Sequence, residues 1–429
     1  MSAAPAVVLL TGATGFVGKV VLAELLRRRE ALGIERVLAL VRAKDPEHAD
    51  ARLRSEVLGS PCFAAEAPGY EKWIEAIAGD ITLPGLGLSP EAQERVRADV
   101  SHVIHCAASV EFSLPVAEAT AANVTGALHA VELARGCRRL TGAAVVSTAY
   151  VTPHAAPLGR EIHCAEERLA PLPFDAEALL PRLARGEVDA GRLLAETGHP
   201  NTYTLTKCVA EHLLARRAGE LPLTLVRPSI VSASRALPRP GWIDSFAAFA
   251  GFVALIGAGR LRAVAGDPEA RLDVVPCDAV AERIVAAAFA PGGALGIRHA
   301  VAGLAGACSI ALCRERILGY FAPRGGEPPA RLAYVGRRGP GFHLAHALHH
   351  ELPGAAAALW LRLRRKGRLA SAARRLRERQ RAVNRDFAYF THATFDFSAA
   401  HPLTPPLEPA RYLDLVCEGV DRHLLRRRG

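Results

Sequence analysis

A tyrosine and a lysine four residues apart are the pair of side chains in this sequence best suited to proton transfer. Tyr203 and Lys207 lie in NTYTLTK, which starts at Asn201 and opens a predicted helix that runs to about Arg217. Residues four apart share one helical face. A phenol has an unperturbed pKa of about 10, and an ammonium group one turn away lowers that pKa. This pair could therefore protonate a carbonyl oxygen as a hydride reaches the carbonyl carbon.

Two hydroxyl side chains precede this helix in the chain. Ser147 and Thr148 lie near the carboxyl end of a predicted fifth strand, Ala143 to Val151. A hydroxyl at such a strand end could orient and polarise the same carbonyl group. A Y-x-x-x-K spacing alone arises often by chance. A glycine turn, a strand that ends in hydroxyl side chains and a Y-x-x-x-K helix, in that order along the chain, are a much more specific signal. We assign Thr148, Tyr203 and Lys207 to catalysis.

The glycine turn is the segment TGATGFVGK, which starts at Thr11 after an apolar run and leads into an amphipathic helical pattern. Its spacing is G-x-x-G-x-x-G. Gly12 allows a tight turn, Gly15 lets backbone approach a phosphate, and Gly18 lets helix and strand pack closely. The N-terminus of the helix that follows presents free N–H groups and a partial positive charge, which would bind a pyrophosphate. The residues assigned to cofactor binding here are Thr11, Gly12, Thr14, Gly15, Phe16, Val17 and Gly18.

The next two strands carry further candidate cofactor contacts. Arg42 ends the second predicted strand, with Lys44 nearby. NAD-binding proteins usually place an acid there, whereas a cation suits the 2′-phosphate of NADP(H). The pattern favours NADPH, and the alternative is a solvated surface arginine. Asp80 and Ile81 follow the third strand and could hold the adenine.

The fourth predicted strand runs from Val103 to Ala108 and ends in small residues that leave room for the cofactor. We assign Cys106, Ala107 and Ala108 to the cofactor wall. His105 and Cys106 could be catalysts, but we favour core or wall roles because cysteine is commonly buried. A helix is predicted from Asn123 to Arg135, with Asn123 near its start as a candidate cap.

Alternating strands and helices predict an α/β fold with a doubly wound parallel sheet. A sixth strand covers Leu223 to Val226, and a last strand is expected near 299–302. The predicted Rossmann domain spans 1–305, with substrate-side insertions at 152–200 and 236–268. The first insertion is expected to form part of a lid. A smaller, mostly helical C-terminal substrate domain is predicted at 306–429.

Composition limits the compartment and the class of partner. The net charge is +10, and the nine cysteines form no C-x-x-C or metal-ligand cluster, so we expect reduced thiols, a cytoplasmic protein and no metal site. No apolar run reaches membrane-spanning length, and no basic segment precedes the first apolar run as in a signal peptide. The charge alone would allow nucleic-acid binding, but the sequence contains no known nucleic-acid recognition motif. We therefore expect no nucleic-acid partner.

Several segments together resemble the extended short-chain dehydrogenases/reductases, and within that group the fatty acyl-CoA reductases. The similar segments cover roughly residues 7 to 285, and a looser similarity continues from about Ala311. They are TGATGFVGK, AGDIT, VIHCAASVEF, NVTGALHAVELAR, VVSTAYV, NTYTLTK, VRPSIV, GWID and DVVPCDAV, followed by AYFTHATFDFSAA in the C-terminal part.

The resemblance implies reduction of a long-chain acyl thioester, from acyl-CoA or acyl carrier protein, by NADPH. It gives Tyr203 and Lys207 the proton-transfer roles, and it favours Thr148 over Ser147 as the catalytic hydroxyl. The Lys207 ammonium could also hydrogen-bond the nicotinamide ribose. Pro228, Ser229 and Ile230 would line the nicotinamide end of the site. No cysteine is needed, since hydride is itself the nucleophile. Aldehyde and alcohol both stay open as products.

Two segments could serve the lipid part of the substrate. The stretch Trp242 to Ile256 and the C-terminal helices could form an apolar tunnel, or could be plain core. From Leu359 to Arg385 there are eleven basic residues and one acid. This basic stretch could meet an anionic membrane peripherally, the phosphates of coenzyme A or an acidic carrier protein, or be a solvated helix.

Other readings use the same scaffold. They are a sterol dehydrogenase, a sugar-nucleotide epimerase and a terminal reductase that releases peptidyl or polyketide thioesters. A nonenzymatic NADP-binding sensor would be of a different class, and such proteins typically lose the tyrosine or the lysine that this chain keeps.

Overall fold

The computed structural model describes residues 5–64, 66, 68–152, 162–289, 293, 295–324, 329–364 and 367–425. Residues 153–161 of the predicted first insertion and residues 365 and 366 of the basic stretch lie outside the described residues.

The organising element is a seven-stranded, wholly parallel sheet in the order β12-β7-β5-β4-β1-β2-β3. The order reverses direction between β1 and β4, which is where a doubly wound sheet opens a ligand crevice. The predicted fold class is confirmed. The strands are β1 Ala6–Thr11, β2 Ile34–Arg42, β3 Ile74–Gly79, β4 His102–His105, β5 Gly142–Val146, β6 Ile162–Ala165, β7 Leu223–Pro228, β8 Ile230–Ser232, β9 Ala263–Ala265, β10 Arg271–Leu272, β11 Val274–Pro276, β12 Leu295–Ala300, β13 Cys308–Ser309, β14 Tyr334–Gly336 and β15 Thr394–Phe397.

Helices cover both faces of the sheet. One apolar core joins the sheet to α3, α5 and α8, and the core on the other face joins it to α1 and α10. The helices are α1 Phe16–Arg27, α2 Pro46–Arg52, α3 Pro90–Asp99, α4 Val116–Thr120, α5 Gly126–Arg135, α6 Ala176–Ala184, α7 Ala190–Thr197, α8 Thr202–Ala218, α9 Ala248–Gly257, α10 Cys277–Phe289, α11 Ile310–Phe321, α12 Pro340–His346, α13 Leu352–Leu363, α14 Gly367–Asp386, α15 Ala388–His392 and α16 Pro409–Gly419.

The C-terminal region is tied to both predicted insertions by short strand pairs. β15 pairs with β6 of the first insertion, and β14 pairs with β9 of the second. A third apolar core packs α9 against α11 and α16. The helical region therefore shares its core with the substrate-side insertions, while the boundaries 1–305 and 306–429 stay a prediction.

Three local predictions were wrong. β4 ends at His105 and β5 at Val146, so Cys106, Ala107, Ala108 and Thr148 follow their strands instead of lying in them. The chain leaves the sheet there, which exposes backbone at the crevice. The helix around Asn123 begins at Val116, because α4 continues through a π-helical turn, 121–125, into α5. Asn123 is therefore inside a helix and caps nothing.

Candidate active site

The glycine turn between β1 and α1 is built by close backbone contacts. Gly12 has φ +78°, and a Cβ there would lie 2.6 Å from the amide nitrogen of Ala107. A Cβ at Gly18 would lie 2.0 Å from the Gly12 carbonyl oxygen. Gly15 precedes α1 without a side-chain cap, so the first N–H groups of the helix are available to an anion. This turn fits a dinucleotide pyrophosphate.

Thr11 lies behind the turn and does not face the crevice. Its buried hydroxyl is 2.9 Å from His105 Nδ1 and accepts a 3.3 Å hydrogen bond from the Ala107 amide. Burial lowers the pKa of His105 to about 3, so its ring is neutral, as its core role requires. Burial also raises the pKa of the Cys106 thiol to about 12, which makes it a poor nucleophile.

The candidate residues for the adenosine end surround the carboxyl ends of β2 and β3. Arg42 is the last residue of β2, and both Arg42 and Lys44 are exposed. Neither side chain forms an ion pair with another described residue. Asp80 uses its carboxylate to accept from the Thr82 amide and hydroxyl, at 2.9 and 2.8 Å. Ile81 packs against Gly126 of α5.

The three proposed catalytic side chains meet at one crevice wall. Asn201 caps α8 by accepting from the Thr204 amide at 2.9 Å, which fixes where the tyrosine helix starts. Tyr203 and Lys207 then project from the first two turns of α8, and a hydrogen bond joins Thr148 to Tyr203. Lys207 Nζ donates a 2.8 Å hydrogen bond to the Val146 carbonyl at the end of β5.

The electrostatics of this group differ from the sequence-based expectation. Burial raises the pKa of Tyr203 to about 12, and the hydrogen bond from Thr148 opposes that rise only in part. Lys207 was expected to lower this pKa, but its ammonium is directed to Val146. Burial lowers the pKa of Lys207 to about 8, against the pull of Glu211. Tyr203 is therefore protonated at neutral pH, which is the form an acid needs.

Asn123 has a role in the site that the sequence analysis missed. Its Oδ1 accepts from the Ser109 amide at 2.8 Å, and its Nδ2 donates to Thr206 Oγ1 at 3.1 Å. The side chain thus joins the loop after β4 to the tyrosine helix, one residue before Lys207. The sequence did offer a signal for this role, since Asn123 is a polar residue next to an apolar helical pattern. We interpreted that polarity as a helix cap.

A buried ion pair fixes the other side of α8. Arg227 in β7 and Glu211 in α8 are almost fully buried, and Arg227 Nε donates to Glu211 Oε1 at 2.9 Å. Three residues beyond Arg227 line the crevice: Pro228, Ser229 and Ile230. Ser229 donates its hydroxyl proton to Asp273, whose carboxylate also accepts from the Ala302 and Gly303 amides at 2.8 Å.

Aromatic side chains from distant segments close the crevice over Tyr203. Phe112 stacks on Tyr203 with the ring centroids 5.9 Å apart, and it also contacts Phe387 and Phe390. Phe390 meets Tyr150 edge-on at 4.8 Å. These contacts span the chain, so no local pattern could reveal them, although the segments VIHCAASVEF and AYFTHATFDFSAA contain two of the rings, Phe112 and Phe390.

The segment GWID packs on the glycine turn. The Trp242 ring stacks on Phe16, with the centroids 5.5 Å apart, and Asp244 forms a 2.6 Å ion pair with Lys19. Both partners belong to the first turns of α1. The second insertion therefore contacts the dinucleotide end of the crevice as well as the substrate end.

The crevice has a volume of about 500 Å³ and joins these features. Most of the predicted site residues line it, and so does Ser147, whose buried hydroxyl has no hydrogen-bond partner within the described residues. The lining predicted residues are Gly12, Gly15, Phe16, Val17, Gly18, Cys106, Ala108, Thr148, Tyr203, Lys207, Pro228, Ser229 and Ile230. The predicted residues that are not part of this lining are Thr11, Thr14, Arg42, Lys44, Asp80, Ile81 and Ala107.

A second, smaller cavity of about 50 Å³ adjoins the crevice. Ile230, Phe387 and Phe390 border both spaces. The remaining lining is almost wholly apolar and comes from α9, β9, β10, α11 and the C-terminal region: Phe249, Phe252, Ile256, Val264, Leu272, Ile310, Cys313, Arg314, Ile317, Leu332, Val335 and Thr391. The predicted tunnel stretch, Trp242 to Ile256, thus contributes to its wall.

Two kinds of feature are absent from the described ranges. No three His, Cys, Asp or Glu side chains there form a group that could hold a metal ion. No helix in those ranges has the length and apolar character needed to cross a bilayer.

Comparisons with known proteins show which proteins this chain is similar to. Residues 10–284 match the family model described as male sterility protein. The chain is 33% identical over 292 residues to fatty acyl-CoA reductase wat of Drosophila melanogaster, covering 66% of this chain and 54% of that one. It is 35% identical over 295 residues to fatty acyl-CoA reductase 1 of Homo sapiens, covering 66% and 55%. The chain thus spans about half the length of the curated relatives it matches.

Two solved structures share the fold over nearly the whole chain. The terminal R domain from the myxalamid PKS-NRPS biosynthetic pathway superposes with a TM-score of 0.67 at 22% identity, covering 98% of this chain and 92% of that one. The reductase domain of a non-ribosomal peptide synthetase from Mycobacterium tuberculosis gives 0.63 at 19% identity, covering 99% and 92%. These two similarities show the shared fold.

Proposed function

Since the chain belongs to the male sterility protein family, we propose that it is an oxidoreductase that reduces long-chain fatty acyl thioesters with NADPH. The observation that carries the proposal is the crevice itself. A glycine turn suited to a dinucleotide and the group Thr148, Tyr203 and Lys207 line one crevice, and an apolar cavity adjoins that crevice across Phe387 and Phe390. The relatives named fatty acyl-CoA reductase support the thioester substrate.

The cofactor end fits a dinucleotide on steric grounds. The positions of Gly12 and Gly18 leave no room for a Cβ, and the uncapped start of α1 presents its N–H groups. When bound, the nicotinamide cofactor would supply the hydride. Arg42 and Lys44, exposed at the end of β2, support a 2′-phosphate and hence NADPH over NADH.

Side chains of this protein would carry out the proton transfers. The Thr148 and Tyr203 hydroxyls would hold the thioester carbonyl oxygen, and Tyr203 would give its proton to that oxygen as negative charge develops. Collapse of the hemithioacetal returns the proton to Tyr203 and breaks the C–S bond, with the electron pair leaving on sulfur. Lys207, 2.8 Å from the Val146 carbonyl, keeps a positive charge beside the resulting phenolate.

The apolar cavity supports a long acyl chain. Its lining faces the crevice across Phe387 and Phe390, so a chain whose carbonyl meets Tyr203 would point its tail toward α9 and α11. An apolar tail gains about 0.8 kcal/mol for each methylene removed from water. This arrangement would favour acyl chains over small or polar carbonyl substrates.

The test uses purified protein, NADPH and a long-chain acyl-CoA, with NADPH consumption and free thiol followed in one tube. Stoichiometric thiol release is the expected result. Two NADPH per thiol would identify the alcohol as product, and one NADPH per thiol would identify the aldehyde. If neither acyl-CoA nor an acylated carrier protein releases thiol, the thioester proposal is rejected.

A further inference from the structure

The C-terminal region contains a helix whose outward face is apolar. α12, the π-helical turn at 347–351 and α13 form one continuous helix, since the backbone at both junctions is helical. Its inward face includes Phe342 and His350, which are buried, and Gly354, which packs on Arg377. A surface helix normally turns polar residues outward.

The outward face instead carries a row of large apolar side chains. Among the described residues, seven of the twelve exposed large apolar side chains fall within residues 344–369, so they form a cluster. Along the continuous helix, these side chains are offset by about two residues from the buried positions. They therefore lie on the face opposite the buried one. The members are Leu344, Leu348, Leu352, Leu359, Trp360, Leu363 and, at the start of α14, Leu369.

Exposed arginines accompany this row where α13 ends and α14 begins. Arg362, Arg364 and Arg368 are exposed, and none of them forms an ion pair with another described residue. Arg364 lies over the Trp360 ring, 5.2 Å from its centroid. By contrast, Arg377 and Arg381, further along the hairpin, both pair with the Glu351 carboxylate.

The α13–α14 hairpin is firmly joined to the crevice at its other end. Asn384 of α14 accepts from the Ala265 amide at 2.8 Å and donates to the Ala263 carbonyl at 3.0 Å. The neighbouring residues Val383, Asp386 and Phe387 line the crevice. A surface that binds the outer end of this hairpin would therefore be connected to the substrate end of the active site by one helix.

We propose that this face of the hairpin docks on an anionic lipid surface. Leucine and tryptophan would enter the boundary between headgroups and acyl chains, and the arginines would meet lipid phosphates. The row extends over about 20 residues, or roughly 30 Å of helix, which suits a flat surface. A second copy of the chain is disfavoured, because a twofold contact through this face would bring unpaired arginines of both copies together.

The test measures co-sedimentation of the whole protein with vesicles in the absence of substrate. One set of vesicles contains equal parts of phosphatidylglycerol and phosphatidylcholine, and the other contains phosphatidylcholine alone. We expect binding to the mixed vesicles, weakening as salt is raised, and much weaker binding to the neutral ones. The result does not depend on the proposed enzymatic activity, because no substrate is present.

Two variants separate the apolar and the charged contributions. The triple variant Arg362→Gln, Arg364→Gln, Arg368→Gln should lose roughly fivefold in affinity for each arginine, or about a hundredfold in all. The double variant Trp360→Ser, Leu363→Ser should lose about tenfold or more. Both should keep the wild-type melting temperature, since these side chains are exposed.

Matched controls change similar side chains elsewhere on the surface. Leu83→Ser removes another exposed leucine, and Arg54→Gln, Arg138→Gln, Arg192→Gln together remove the same charge. These controls should bind vesicles like the wild type. The proposal is overturned if mixed vesicles are not bound, if neutral vesicles are bound equally well, or if the hairpin variants bind no worse than the controls. Binding of holo-acyl carrier protein, lost in the same variants and without vesicle binding, would assign the face to an acidic protein instead.

Discussion

Lys207 Nζ donates a 2.8 Å hydrogen bond to the carbonyl oxygen of Val146, the last residue of β5. The contact joins the tyrosine helix to the strand end from which Thr148 follows. It also holds an ammonium group in a buried position, and that burial lowers its pKa to about 8.

This pKa predicts a loss of activity in mild alkali. As the pH rises through about 8, Lys207 loses its proton and with it the positive charge beside the Tyr203 phenolate, so kcat/KM should fall. The unfolded chain keeps this proton up to about pH 10. This group alone therefore makes the folded state more stable as the pH rises through that window, so the deprotonation of Lys207 does not itself cause unfolding.

The measurement is a pH profile of kcat/KM, with thermal unfolding recorded at each pH. Lys207→Arg keeps the charge at every pH used and should move the alkaline limb upward. A wild-type profile that stays flat between pH 7 and about 10 would contradict the role of Lys207.

Tyr203→Phe should abolish thioester reduction and leave NADPH binding intact. The change removes the acidic proton but keeps the ring that stacks on Phe112. We expect kcat to fall by about a hundredfold or more, the usual contribution of a general acid, with a dissociation constant for NADPH close to wild type by fluorescence titration. Phe112→Leu is the matched control, since it loosens the same stack and leaves the proton. A kcat close to wild type in Tyr203→Phe would contradict the mechanism.

The features that sequence predicts well here are local ones. The glycine turn and the spacing of Tyr203 and Lys207 depend on neighbours within a few residues, so strand, turn and helix could be read directly. The predicted lowering of the Tyr203 pKa was wrong, because burial raises that pKa to about 12 and the sequence gives no measure of how deeply the side chain is buried. Phe112 and Phe387 meet over Tyr203 although 275 residues separate them in the chain, and no local pattern encodes that contact.

Arg42 should set the choice between NADPH and NADH. A charge-assisted hydrogen bond to a phosphate contributes about 1.5–3 kcal/mol, so Arg42→Ala should raise KM for NADPH roughly 10- to 100-fold and change KM for NADH little. Arg54→Ala is a suitable control, because that exposed arginine is paired with Asp50. An unchanged ratio of the two KM values in Arg42→Ala would identify Arg42 as an ordinary surface residue.

The buried pair of Arg227 and Glu211 should matter more for stability than any surface pair. Both side chains are at most 2% exposed, so Glu211→Gln leaves a buried guanidinium without its counter-charge. Breaking such a pair costs about 3–5 kcal/mol of unfolding free energy. The double variant Arg227→Met, Glu211→Leu removes both charges and should lose less.

Urea denaturation measures these differences, and the exposed pair of Arg192 and Glu196 provides the control. Removing that pair should cost at most about 1 kcal/mol. A loss of that small size for Glu211→Gln would mean that water reaches the Arg227 guanidinium. A double variant less stable than Glu211→Gln would show that the pair contributes more than its desolvation costs.

The cavity behind Phe387 should set the acyl chain length. Its ring separates the crevice from the smaller cavity and contacts Phe112 at 5.2 Å and Phe252 at 5.3 Å between centroids. Phe387→Ala should join the two spaces, so that longer chains gain about 0.8 kcal/mol for each added methylene they bury, or about fourfold in relative kcat/KM. The measurement is kcat/KM across a series of saturated acyl-CoA substrates.

Two controls distinguish this effect from simple loosening of the structure. Phe387→Leu keeps most of the barrier and should leave the preference near wild type. Phe342→Ala creates a comparable cavity in a separate cluster away from the crevice and should lower stability without changing the preference. If Phe387→Ala and Phe342→Ala give the same chain-length series as wild type, the acyl tail does not enter the space between α9 and α11, and it must leave the crevice by another route.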